Sequence, residues 1–245
     1  LEPHSDSRMA VEKKRVKELV PPAIHFPYIK MGRSISGFRL NKTGGKFGPF
    51  DNQLFLGDYS LSIIMRATTE QINGVWQGAC YPFREGLPTG IMNVEFSPKG
   101  QLIVGGFTTS RQWPVRGSEP YSIQRIDWNG TVPFEIKEIN IKPDGFLFTF
   151  TKPVDQHIAA KTDSYNISTY TYIYHAGYGS PEVDHTTAKV TQAVPAADGL
   201  SVLVKLEKIT EDHIHDFDLS KILGQDGLPL VHKKAYYTVN EIPVK

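Results

Sequence analysis

Gln53-Leu-Phe-Leu-Gly57 returns as Gln101-Leu-Ile-Val-Gly105, 48 residues later. Each copy follows a Phe-x-Pro turn, Phe47-Gly-Pro49 in one case and Phe96-Ser-Pro98 in the other. Each leads to an apolar strand ending on a basic residue, Ile63-Ile-Met-Arg66 and Ile123-Gln-Arg125. Short strands repeating every ~40–50 residues are the pattern of β-propeller blades. A blade must bury both of its faces, and a ring needs about four to eight of them. Residues 21–132 therefore read as two blades, the tail of a larger propeller. The remaining blades are expected from upstream sequence of the same protein or from a partner chain.

Turn residues outline the strands around the repeat. Asn73-Gly74 separates Ile63–Ile72 from Val75–Phe83, which predicts a two-residue hairpin. Asn129-Gly130 closes the last strand, Tyr121–Trp128. The two blades differ mainly in the loop from Thr108 to Pro120, about a dozen residues longer than its counterpart after Asp58. Past Val132-Pro133 the repeat stops. Alternation in Ile136–Ile141, Phe146–Phe150 and Val202–Leu206, with turns at Asp144-Gly145, Asp198-Gly199 and Asp226-Gly227, predicts an immunoglobulin-like β-sandwich over 133–245. Residues 1–20 are charged and read as a linker or short helix, with Val11–Leu19 able to turn helical. The fold class is all-β: a partial propeller of about two blades followed by that sandwich.

Composition narrows the function classes. Of 245 residues, 40% are hydrophobic and 11% aromatic, enough for a packed core. A formal charge of +1 gives no global attraction to nucleic acid or to an anionic surface. No apolar run approaches the ~20 residues of a membrane span. The single cysteine, Cys80, excludes an intrachain disulfide and a CxxC metal motif, and reads as a buried packing residue.

Several segments carry a family resemblance. Pro22-Ala-Ile-His-Phe-Pro27, Ser36-Gly-Phe38, Gly45-Lys-Phe47, Asp51-Asn-Gln-Leu-Phe-Leu-Gly-Asp58 and Val94-Glu-Phe-Ser-Pro-Lys-Gly-Gln-Leu-Ile-Val104 resemble the last blades of bacterial quinoprotein sugar dehydrogenases, the glucose and sorbosone dehydrogenase class. Gly78-Ala-Cys-Tyr-Pro-Phe-Arg-Glu-Gly86, Val132-Pro-Phe-Glu-Ile-Lys-Glu138, Tyr170-Thr-Tyr-Ile-Tyr174, Tyr178-Gly-Ser-Pro-Glu-Val-Asp184 and Ala235-Tyr-Tyr-Thr238 extend the resemblance to large exported bacterial propeller proteins of dehydrogenase-like type. The resemblance implies oxidation of a carbohydrate hydroxyl, pyrroloquinoline quinone (PQQ) with calcium as cofactor, and a periplasmic, secreted or cell-surface location. It also implies a catalytic base outside this chain. One departure stands out. Where glucose-oxidising members carry an arginine-bearing strand, this chain reads Thr89-Gly-Ile-Met-Asn93, without a cation.

Candidate binding residues lie near the repeat. In Ser110-Arg-Gln-Trp-Pro-Val-Arg-Gly117 two guanidinium groups flank an indole, which reads either as an inter-blade plug, Trp113 filling space and the arginines pairing with local carboxylates, or as a site for a sugar or an anionic ligand, Trp113 stacking while Arg111 and Arg116 donate hydrogen bonds. Arg84, in Tyr81-Pro-Phe-Arg-Glu-Gly86, is placed either to grip a carboxylate or to pair with Glu85. Asp58 lacks an acidic cluster that would make it a calcium ligand. Asp212-His-Ile-His-Asp216 offers two imidazoles, too few for a closed zinc site, and reads as a solvent-facing polar stripe. Tyr170, Tyr172 and Tyr174 fall on one side of a strand, as in a sandwich core or a domain interface. Two functions stay open. One is a dehydrogenase-like enzyme in which Arg84, Arg111, Trp113 and Arg116 contact substrate or cofactor. The other is a non-catalytic carbohydrate- or protein-binding module.

Overall fold

The computed structural model describes residues 6–109, 113–177 and 179–244. Among the described residues the fold is all β, 46% strand and 6% helix, in several antiparallel sheets of which none is closed. It divides into two units, 26–68 with 80–133, and 6–25 with 69–79 and 134–244.

Strands β1 (Ile35–Leu40), β2 (Leu54–Asp58), β3 (Ile63–Ile72) and β4 (Val75–Arg84) neighbour one another in chain order, and the hairpin end of β3 and β4, 69–79, is counted with the second unit. Asn73 and Gly74 turn the β3–β4 hairpin at φ 49° and 84°, the left-handed pair that Asn-Gly adopts readily. A second sheet holds β5 (Ile91–Phe96), β6 (Leu102–Phe107) and β7 (Tyr121–Ile126). The repeat survives as an identical register. Phe38 lies opposite Leu56 and Leu40 opposite Leu54, just as Val94 lies opposite Val104 and Phe96 opposite Leu102. Both pairings slip at the same place, between Ile35 and Phe38 and between Ile91 and Asn93.

The two sheets bury a shared core of Phe47, Phe50, Phe55, Ile64, Phe83, Ile91, Val94, Leu102 and Val104. Phe55 and Phe83 meet edge to face at 5.0 Å, and Phe47 and Phe55 at 5.5 Å. Full burial of each such ring is worth roughly 1.5–3 kcal/mol. Gly57 is needed for this contact, because a Cβ there would collide with the Ile91 side chain. Arg66 is buried beneath them, its guanidinium 3.9 Å from the Phe50 ring centroid and bonded to Gln53 Oε1 at 2.5 Å.

In the other unit, strands β8 (Ile136–Lys142), β9 (Gly145–Phe150), β10 (Asn166–Tyr172), β11 (Glu182–Thr187), β12 (Val190–Pro195), β13 (Ser201–Leu206), β14 (His213–Asp218) and β15 (Lys234–Val239) form two layers. One runs β12-β13-β9-β8, the other β15-β14-β10-β11. Alternate residues of β9 and β13 point inward, as period two requires. Phe146 of β9 meets Phe217 of β14 at 5.0 Å and Tyr237 of β15 at 5.3 Å, so the layers face each other through aromatic rings.

Three expectations change. The N-terminal helix, α1, spans Met9–Arg15 rather than 11–19. His215 does not face solvent; it is buried between Phe146 and Phe217, at 5.1 and 6.4 Å. Strand alternation at Ile214-His215-Asp216 puts the imidazole on the inward side with Phe217. The tyrosine side of β10 is not the inter-layer core. Tyr172 packs against His25 at 5.5 Å, Arg8 bridges Ile173, and Tyr174 N–H donates to Ser7 O, so residues 7–25 help cover that outer side.

Candidate functional site

The long loop of the 26–133 unit is held from below by its own backbone. Thr108 N–H donates to Pro120 O at 2.9 Å and closes the base of the loop. Arg116 N–H donates to Ser60 O at 3.0 Å, Gly117 N–H to Ser62 Oγ at 2.9 Å, and Glu119 N–H to Pro88 O at 2.9 Å. Thr109 N–H donates to the Tyr59 hydroxyl at 3.0 Å, and that hydroxyl meets Thr109 Oγ1 at 2.7 Å. A Cβ on Gly117 would run into Pro88 O, so the close approach requires glycine. The loop thus sits on the β2–β3 turn, Tyr59–Ser62, and on Pro88.

That turn is itself braced by Asp58. Its buried carboxylate accepts three backbone N–H groups, from Arg33, Ser34 and Leu61, each at 2.7 Å. Asp58 is a structural clamp that ties the start of β1 to the β2–β3 turn. Its repeat counterpart, Gly106, carries no side chain.

The predicted binding residues separate on this frame. Trp113 and Arg116 are both on the clamped loop and both exposed, Trp113 at 48%. Arg111 lies outside the described residues. Arg84 ends β4, exposed, with its guanidinium 4.6 Å from the Phe83 ring centroid and donating to Phe83 O at 2.7 Å. It is held by its neighbour Phe83, not by Glu85. The anchoring residues Tyr59, Ser60 and Ser62 escaped sequence reading. Their one signal is a short polar turn, Tyr59-Ser-Leu-Ser62, that follows a buried aspartate.

Of the residues predicted to hold PQQ, Arg84 and Arg116 are described and Arg111 is not. A tricarboxylate needs cations converging on it for charge-assisted pairing. Here the Arg84 guanidinium lies on the Phe83 ring and donates to Phe83 O. Among the described residues, no three His, Cys, Asp or Glu side chains converge on a metal position. The Asp212–Asp216 stretch is dispersed in the same way. Asp212 takes Lys13 at 2.6 Å, the His213 ring lies 2.9 Å from Glu211 O, His215 is in the core, and His232 pairs with Glu135 at 2.6 Å.

The Trp113 indole and the Arg116 guanidinium stand exposed on a loop whose described residues are tied by hydrogen bonds to Tyr59, Ser60, Ser62 and Pro88. No helix among the described residues is long and apolar enough to cross a membrane. No family model, no curated protein and no solved structure matches the chain.

Proposed function

We propose that the chain is a ligand-binding module of a β-propeller protein. In this reading the sheets β1–β4 and β5–β7 are two propeller blades, and 134–244 is an immunoglobulin-like sandwich. The identical register of the two sheets, and the stacking of one on the other through Gly57 and Ile91, support the blades. The strand order β12-β13-β9-β8 against β15-β14-β10-β11 supports the sandwich, being that of the ABED and C′CFG sheets of the immunoglobulin fold in reverse. The ligand is a carbohydrate, taken by stacking on Trp113 with hydrogen bonds from Arg116. The observation that carries this reading is the clamped loop, which presents both side chains to solvent on a fixed base.

The test is retention on a panel of immobilised glycans. Trp113→Ala is expected to weaken binding by about 2- to 10-fold, since an aromatic stack is worth ~0.5–1.5 kcal/mol beyond its area. Retention unchanged in that variant, or no glycan bound by the wild type, would refute it.

The dehydrogenase reading rests on the sequence resemblance to quinoprotein sugar dehydrogenases. It places the module in an exported bacterial enzyme, with the cofactor pocket and catalytic base on other blades. Dye reduction with PQQ, calcium and a sugar panel on the whole gene product tests it; no turnover on any sugar removes it.

A further inference from the structure

The two repeats share a register but not an environment. On the face of the first sheet that receives the second, Phe55, Ile64 and Arg66 are all buried, and Ile91 sits against Gly57. Pairing across β2–β3 and β6–β7 makes Ile103, Gly105, Ile123 and Arg125 their counterparts. Phe55 lies opposite Arg66 and Gly57 opposite Ile64, as Ile103 lies opposite Arg125 and Gly105 opposite Ile123. Here the equivalence of position ends in opposite exposure. Ile64 is 0% exposed and Ile123 is 80% exposed, with Tyr121 at 78% beside Phe107 on the same face. Around Gly105 nothing but Ile123 and Ser122 lies within 4 Å of where a Cβ would be, so the socket that Ile91 fills at Gly57 stands open. The groove there measures about 830 Å³ and is lined by Met92, Phe107, Tyr121 and Ile123 around the two glycines Gly105 and Gly106.

The complementary half lies on β1. Ile91 and Val94 are the knobs that β5 presses into the first sheet, and both are buried. Their counterparts by register are Ile35 and Phe38, which are 41% and 61% exposed. Leu54 and Leu56, the counterparts of Leu102 and Val104, are half-buried and buried, so the open part of this side is the knob pair itself. One chain therefore displays an empty socket at one end of its sheet stack and free knobs of the matching kind at the other.

We propose that the occupant of the β5–β7 face is β1 of a second copy of this chain, Ile35 entering at Gly105 and Phe38 lying against Ile123. The contact repeats the internal one between the two sheets, and it deepens the propeller reading on which it rests by naming the partner. It is heterologous, so it propagates head to tail and closes when the rotation allows. Two to four copies would supply the ~4–8 blades of a ring. The groove's apolar side chains, Met92, Ile103, Phe107, Tyr121 and Ile123, outnumber its polar ones, Asn93, Glu95 and Ser122, and suit a packed sheet more than a sugar, whose sites need convergent polar groups.

The experiment is the solution mass of the chain by analytical ultracentrifugation from about 1 to 500 µM, the span in which a specific contact of this kind dissociates. Wild type is expected to grow from monomer to a closed multiple. Ile123→Asp blocks the socket and Ile35→Asp blocks the knob; Phe38→Asp stands in if Ile35→Asp does not fold. Each variant alone is expected to remain monomeric. An equimolar mixture of socket and knob variants is expected to yield a particle of two chains and nothing larger, because one intact half remains on each. Trp113→Ala is expected to assemble normally, so failure of the assembly and failure of the glycan reading are separately visible. A wild type that stays monomeric throughout overturns the proposal and leaves the face to a sheet of another polypeptide. Assembly that survives Ile123→Asp overturns it equally.

Discussion

His215 makes the stability of the 134–244 unit depend on acid. Its ring is fully buried between Phe146 and Phe217, and neither nitrogen has a hydrogen-bond partner at bonding distance. Burial, with a smaller push from His213, drives its pKa down from the ordinary 6.5 to about 3. The unfolded chain takes up the proton near pH 6.5 while the folded chain refuses it until near pH 3. Stability is therefore complete above the unfolded value and falls as pH drops through that window. Each pH unit within it costs about 1.4 kcal/mol. Between pH 7 and pH 5 the loss from this group is about 2 kcal/mol, and the ceiling over the whole window is about 5 kcal/mol. His215→Leu removes the titrating group and keeps an apolar side chain in the core. Urea unfolding of wild type and variant at pH 7 and pH 5 measures the difference of differences, in which His25, also lowered by burial, cancels. The expected value is about 2 kcal/mol less acid loss in the variant, with little or no cost at pH 7, since an unpartnered imidazole in a core contributes no hydrogen bond. Equal acid sensitivity in the two proteins would refute the assignment of this slope to His215.

Three further outcomes follow from Gly57, Asp58 and Gly74. Gly57→Val forces a side chain into the space of Ile91 and is expected to cost about 1–3 kcal/mol, read as a lower Tm, whereas Gly105→Val in a monomer costs much less. Asp58→Ala strands three backbone donors from Arg33, Ser34 and Leu61 and is expected to cost about 3 kcal/mol; a loss below about 1 kcal/mol by denaturant unfolding would contradict the clamp. Gly74→Ala at φ 84° strains the β3–β4 turn and is expected to cost about 1 kcal/mol, checked the same way.

Strands, turns and the repeat were legible in the chain because they are short-range. Alternation in β9 and β13 places every second side chain inward, and Asn73-Gly74 adopts the left-handed pair that only such residues take cheaply. The repeat of Gln53–Gly57 at Gln101–Gly105 even carried its register, down to the slip beside Ile35 and Ile91. The candidate site was half legible. Trp113 and Arg116 do lie exposed on the long loop, but the hydrogen bonds to Tyr59, Ser60, Ser62 and Pro88 that hold it join residues far apart in sequence. Arg84 looked equivalent to them and is not, because the Phe83 ring beneath it is oriented by the packing of β4.

Residues 53–57 and 101–105 thus specify by themselves two sheets of one pattern, since backbone geometry and local polarity decide a strand. Which face of each sheet is covered was decided only in three dimensions. Ile64 and Ile123 occupy the same position in the repeat, yet one is sealed by Ile91 and its neighbours and the other meets solvent. Burial is a property of what packs against a side chain, and no local sequence contains its own neighbour across a sheet. His215 makes the same point. Set between Asp212 and Asp216 it looks like a surface residue, and only the opposing Phe146 makes it part of a core.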